Sequence, residues 1–179
     1  MGCDIHGYLE YKPRWSESYQ TWSENGIYLP RDYVWFASLA GVRDNWATPH
    51  RDPRGLPADV SLEVMQNFYC QVLPDEMANL HRGRPYTLFD AVPLSRANEW
   101  DEKGYIHSRT IFQDCNLIQH PDWHTPSWAT LLELMTDHQS YQSVITRMGY
   151  GRQVADEVAA LEASMLYLPQ ARFVYWFDN

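Results

Sequence analysis

The C-terminal run Ala171–Asp178, ARFVYWFD, constrains this chain most. It is β-branched and aromatic throughout, with Pro169 just before it, so it reads as a strand buried on both faces and central in a sheet. A partner is visible at the other end. Residues 3–12, CDIHGYLEYK, alternate: Cys3, Ile5, Gly7, Leu9 and Tyr11 point one way, Asp4, His6, Tyr8, Glu10 and Lys12 the other. That pattern predicts a strand with one buried face. Two such strands at the chain ends predict pairing in one small sheet.

Between them the pattern is mostly helical. Asp32 caps YVWFASLAG, and Gly41 ends it. Residues 41–57, GVRDNWATPHRDPRGLP, read as a long loop. Ser61 caps LEVMQNFYCQV, with Val60 and Met65 placed as a hydrophobic staple. Pro74 opens a short helix through Leu80, and GYIHSRTIF, residues 104–112, reads as a strand. Thr125 with Pro126 at the first helical position predicts a helix through SWATLLELM, with a second short helix over Ser140–Met148. The strongest helix covers Arg152–Leu168, where Val154, Val158, Leu161, Met165 and Leu168 form one stripe. The expected fold is α+β (or α/β): a sheet holding both terminal strands, with three to five helices packed mainly on one side. No linker or repeat divides the 179 residues, so a single domain is expected.

Composition narrows the function. The net charge of -9 argues against a broad binder of long nucleic acid. No stretch approaches the roughly 18 apolar residues of a membrane span. The N-terminus lacks a signal-peptide pattern, and three scattered cysteines give no disulfide framework, so a cytoplasmic location with reduced thiols is expected. Aromatics make up 15% of the chain, with 8 Trp and 12 Tyr, and nearly every cation is Arg. Rings that stack and guanidinium forks that grip phosphate are the parts of a pocket for a nucleotide-like ligand. Such binding calls for no cofactor.

Four constellations carry candidate chemistry. Asp4, His6 and Tyr8 share the polar face of the first strand. Arg43, Arg51 and Arg54 interleave with Trp46 and His50 in the long loop, where arginines beside an indole can clamp phosphates. The alternative is that each Arg pairs with a neighbouring Asp. In HPDWHTPSW, residues 120–128, His120, Asp122 and His124 have chelating spacing, while Thr125 or Ser127 fits a helix cap, the better-supported reading; that helix N-terminus would attract anions. Arg82, Arg84 and Arg96, with Tyr86 and Trp100, form a second basic patch or an ordinary solvated turn. No GxSxG elbow or Walker loop is present.

The blocks MGCDIHGYLEY, DYVWFASLAGVRD, RGLPADVS, HTPSWATLLEL and RFVYWFDN, in that order, resemble a family of mostly uncharacterised bacteriophage proteins that open with MGCDIH and close on WFDN. The resemblance covers about half the chain and implies a phage setting, hence the cytoplasm of a host cell. In that setting the expected function is sequestration of a nucleotide-derived host immune signal, a cyclic nucleotide or a cyclic ADP-ribose relative. Abundance or a homo-oligomer would help to lower the free signal. DIHG also resembles the first motif of calcineurin-like metallophosphoesterases, which implies a metal-dependent phosphodiesterase using Asp4 and His6. The later GNH and GH-x-H blocks of that family are missing. A third reading is a protein–protein module with exposed aromatic anchors.

Overall fold

A computed structural model describes residues 2–43, 47–81, 88–149 and 154–178, with the side chains of residues 79–81 left out. The fold is α+β, with two four-stranded sheets. The chain divides into two compact units: residues 1–61 with 124–179, and residues 62–123 between them.

The first unit is built on the two chain ends. Strand β1 (Ile5–Tyr11) pairs antiparallel with β8 (Arg172–Phe177), which pairs antiparallel with β7 (His124–Thr130); the short β2 (Gln20–Thr21) adds to the far side of β1. The order is therefore β2-β1-β8-β7, with the aromatic strand inside and buried at all six positions. The register sets Glu10 and Thr130 on either side of Arg172.

Alternation along these strands produces two different faces. Ile5, Leu9, Phe173, Tyr175, Phe177 and Ala129 form one core with α1 (Tyr33–Ala40), α5 (Leu131–Met148) and α6 (Ala155–Tyr167). The other face carries His6, Tyr8 and Glu10 of β1, Trp176 and Arg172 of β8, and Trp128 of β7. Tyr8 and Glu10 are buried too, which corrects the expectation that β1 has one buried face. Gly7 has a packing reason: a Cβ there would meet the Phe173 ring at 2.4 Å.

Helix caps follow local chemistry. The Asp32 carboxylate accepts from the Val34 and Trp35 N–H groups, and also from the Tyr141 hydroxyl at 2.6 Å, which ties the start of α1 to α5. Gly41 closes α1 at φ 69°. The expected stripe is buried at Val154, Val158, Leu161 and Met165, while Leu168, just past the end of α6, is half-buried against the same core; Arg152, the expected start, lies outside the described residues.

The helix expected from Thr125 is not there. Residues 124–130 are strand β7, and α5 starts from Thr130 with a capping box to Glu133. Pairing with β8 outweighs the Thr-Pro cap, and T-L-L-E supplies the true one. The two helices expected around Ser140 are one helix of 18 residues.

The second unit carries β3 (Tyr69–Leu73), β4 (Asp90–Pro93), β5 (Arg109–Phe112) and β6 (Cys115–Gln119) in the order β4-β3-β6-β5. Helices α2 (Leu62–Phe68), α3 (Asp75–His81) and α4 (Leu94–Glu102) accompany them. Thus LEVMQNFYCQV is not one helix but a helix that turns into strand at Tyr69, where ladder bonds to β4 and β6 take over. Only the last four residues of 104–112 are strand; Gln113 and Asp114, at φ 46° and 64°, make the tight turn into β6. Six helices are present among the described residues, against three to five expected; the three of the first unit share one core.

Candidate functional site

The sequence-predicted residues separate into two groups within the first unit. One lies where β1 and β7 begin and β8 ends. His6 Nε2 is 3.2 Å from an Asp178 carboxylate oxygen, and the other oxygen accepts from the Asp4 N–H. The Asp4 carboxylate accepts two bonds from Arg31, at 2.8 and 2.6 Å, which holds it below the usual carboxylate range. His6 and Tyr8 stack on Trp176 with ring centroids 5.9 and 5.6 Å away. Burial raises the Tyr8 phenol. A hollow of about 540 Å³ opens beside Asp4, His6, Tyr8 and Arg31.

His124 joins this group. Its Nδ1 is 2.8 Å from the Thr125 hydroxyl and its Nε2 3.2 Å from the Asp178 carbonyl. Thr125 sits at φ 52°, unusual for a β-branched residue, where β7 shifts register. Cys3 Sγ lies 4.0 Å from His124 Nε2. This is a Cys–His pair in outline, but the chemistry is quiet. The thiol is buried, and burial raises its pKa against the opposing Arg43 hydrogen bond. Burial also lowers His124. Both groups are therefore held neutral, the opposite of an activated thiolate–imidazolium pair.

The phosphodiesterase reading needs several ligands converging on an ion. Among the described residues no group of three or more His, Cys, Asp or Glu is placed to hold one. His120 belongs to the second unit, beside Trp123, with a centroid distance of 4.7 Å.

The second group forms on the sheet face away from the helical core, at the end where β8 begins. The Arg172 guanidinium lies over the Tyr19 ring, 3.6 Å from its centroid. Arg54 lies over the Trp128 ring at 3.7 Å, and Arg172 is 5.9 Å from that same ring. The result is a ladder of ring, cation, ring and cation: Tyr19, Arg172, Trp128, Arg54. It borders a groove of about 680 Å³, whose other walls are residues 56–59, 170 and 171, and Thr130.

The ladder is held from behind by carboxylates. Arg172 donates from Nε to the buried Glu10 at 2.7 Å, and from Nη1 to Asp59 at 2.7 Å. The Arg172 bond holds Asp59 below its ordinary range. Glu10 also accepts from the Ser61 N–H. Arg54 donates to both Glu133 oxygens, at 3.0 and 3.1 Å, and to the Trp128 carbonyl. Burial alone would raise Glu133, but the Thr130 N–H, Arg54 and the Thr130 hydroxyl outweigh it and hold it low.

The arginine loop is thus partly a strap. The Arg54 N–H bonds the Ser127 hydroxyl, and the Gly55 N–H bonds the Pro126 carbonyl, closing the outer side of β7. Arg51 reaches inward to Asp137, with Nη2 2.8 Å from Oδ2. The contact is Coulombic: neither Asp137 oxygen has a hydrogen-bond partner among the described residues. Burial raises the Asp137 pKa to about 6 although Arg51 opposes it. His50 acts on this carboxylate in the same sense as Arg51.

Of the residues singled out from sequence, the structure brings Arg54 to the groove, with its N–H on the Ser127 hydroxyl, while Arg51 turns inward to Asp137. Asp4, His6, Tyr8, Arg43, His124 and Thr125 gather at the opposite end of the sheet. Trp46 lies outside the described residues, as do Arg82, Arg84 and Tyr86 of the second basic patch. Arg96 of that patch pairs with Glu99 and lies 5.5 Å over Trp100. Sequence reasoning missed Tyr19, Trp128 and Arg172. Arg172 had a readable sign: it is one cation in an otherwise apolar strand, and Glu10 is its opposite charge in the predicted partner strand.

No family model matches the chain. No curated protein matches it. No solved structure matches it. No helix among the described residues is long and apolar enough to cross a membrane.

Proposed function

We propose that this protein binds a small, planar, anionic molecule of the nucleotide class in the groove beside Tyr19, Arg172, Trp128 and Arg54. The observation that carries the reading is the ring–cation ladder at the border of that groove. The volume is within the range of small-molecule sites. The Arg54 guanidinium lies over the Trp128 ring and stays partly exposed, and its charge favours an electron-rich base or a phosphate. The Arg172 fork, held by Glu10 and Asp59 against the Tyr19 ring, loses little freedom on binding. The resemblance of the chain ends to bacteriophage proteins supports a host cyclic nucleotide or cyclic ADP-ribose relative as the occupant, and sequestration as its use.

The test is equilibrium binding of a panel of cyclic nucleotides and ADP-ribose derivatives, followed by heat denaturation and analysis of the released ligand. Saturable binding with intact release is expected. Failure of every member to bind overturns the reading. A linear product, lost with a chelator or with Asp4→Ala, assigns the protein to the phosphodiesterases instead.

An interaction module is the second reading. It is favoured by Trp15, Trp22 and Tyr28, which are largely exposed in the segment following β1.

A further inference from the structure

We propose that the two ladder arginines have different roles: Arg54 is an exchangeable fork that transfers from Glu133 to a phosphate group of the ligand, while Arg172 is a fixed support that holds the Tyr19 and Trp128 rings at the groove. This inference rests on the groove being the binding site, and it deepens that reading by naming the phosphate subsite.

The difference comes from what each arginine would leave behind. Arg172 is 6% exposed and Glu10 is fully buried. Its Nε is taken by Glu10, Nη1 by the Asp59 carboxylate and Nη2 by the Asp59 carbonyl. Moving Arg172 toward a ligand would take its charge from a fully buried carboxylate that also accepts from the Ser61 N–H. The fold therefore holds Arg172 in place.

Arg54 is in the opposite position. It and Glu133 are each about a third exposed, at 31% and 30%, so their pair is weak. Glu133 does not depend on it. The Oε2 atom also accepts from the Thr130 N–H at 2.8 Å and from the Thr130 hydroxyl at 2.9 Å, the reciprocal half of the capping box of α5. When Arg54 leaves, the carboxylate keeps these bonds and faces solvent, and the one other acceptor given up is the neutral Trp128 carbonyl. The guanidinium meanwhile exchanges one bidentate acceptor for another, since carboxylate and phosphate both match its fork. Its stacking on Trp128 positions it at the groove, whose border both residues form.

Charge sets the preference. Glu133 bears one negative charge, whereas a phosphate monoester bears nearly two at neutral pH. A phosphodiester has one charge and gains most from removal of the competing carboxylate. Glu133→Gln is the informative variant, because Gln at this position still completes the capping box while losing the charge that holds Arg54.

The test uses the full chain, isotope-labelled, and titrates inorganic phosphate while following the arginine Nε–Hε resonances by NMR. A saturable shift of Arg54 with Arg172 unmoved is expected. Glu133→Gln is expected to tighten phosphate binding about two- to fivefold, the worth of an exposed ion pair, with little change in melting temperature. Absence of a saturable Arg54 shift, an equal shift of Arg172, or unchanged affinity in Glu133→Gln overturns the inference. Nucleotide quenching of tryptophan fluorescence, compared in Trp128→Leu, separates the two readings. Phosphate bound at Arg54 without nucleotide quenching removes the groove reading alone. Quenching that Arg54→Lys leaves untouched removes the exchangeable fork alone.

Discussion

Asp137 is a buried carboxyl whose surroundings cost the fold stability. Its side chain is fully buried in α5, facing Arg51 from the loop, with Glu133 on its own helix and Tyr175 of β8 nearby. A carboxyl with a raised pKa is protonated more readily when folded than when unfolded. Its burden on stability is therefore full above pH 6, and it lifts as the pH falls toward 4. The expected size is about 3 kcal/mol, at 1.36 kcal/mol per pKa unit. Urea unfolding of wild type and Asp137→Asn between pH 7 and 4 checks this. Wild type should gain on the variant as pH falls, whereas a constant difference would contradict the assignment. Gly7 is constrained by space instead. A methyl group there would strike the Phe173 ring across the β1–β8 pair, so Gly7→Ala should lose about 1–3 kcal/mol, the usual cost of overpacking, in the same unfolding measurement.

The join between β7 and α5 is where local chemistry and long-range pairing meet among the elements. Thr130 ends the strand opposite Arg172 and begins the helix through its capping box. Thr130→Ala should cost about 1 kcal/mol in thermal unfolding, and it should also loosen Glu133, which Thr130 and Arg54 share. Unchanged stability would mean that the box contributes nothing. The same join shows what the sequence could tell. T-L-L-E was readable as a cap, but Thr125-Pro126 offered a rival cap five residues earlier. Nothing local states that Trp128 and Ala129 pair with Val174 and Phe173. The terminal strands were legible because alternation and aromatic density are local properties. The stripe of α6 was legible for the same reason. Tyr69–Leu73 was not, because its strand character comes from partners some 20 and 50 residues away in the chain. At the candidate site, Arg54 was legible as one of three arginines interleaved with carboxylates and rings in a loop. Its ring was not, since Trp128 reaches it only through the β7–β8 register.

For the molecule as a whole, both chain ends are needed to make the first unit, and residues 62–123 form the second between them. The central place of β8 makes the last residues structural: Arg172 anchors Glu10 and Asp59, and Phe173 to Phe177 sit between β1 and β7. The helical core occupies one face of this sheet, and the ladder with its groove occupies the other. Binding on that second face is the central claim. Native mass spectrometry of the intact protein with an equimolar panel of cyclic nucleotides and ADP-ribose derivatives tests it most directly. One ligand per chain should remain bound in wild type and be lost in Trp128→Leu, which keeps an apolar strand residue but removes the ring. An unchanged mass in wild type, or equal retention by the variant, would contradict the account.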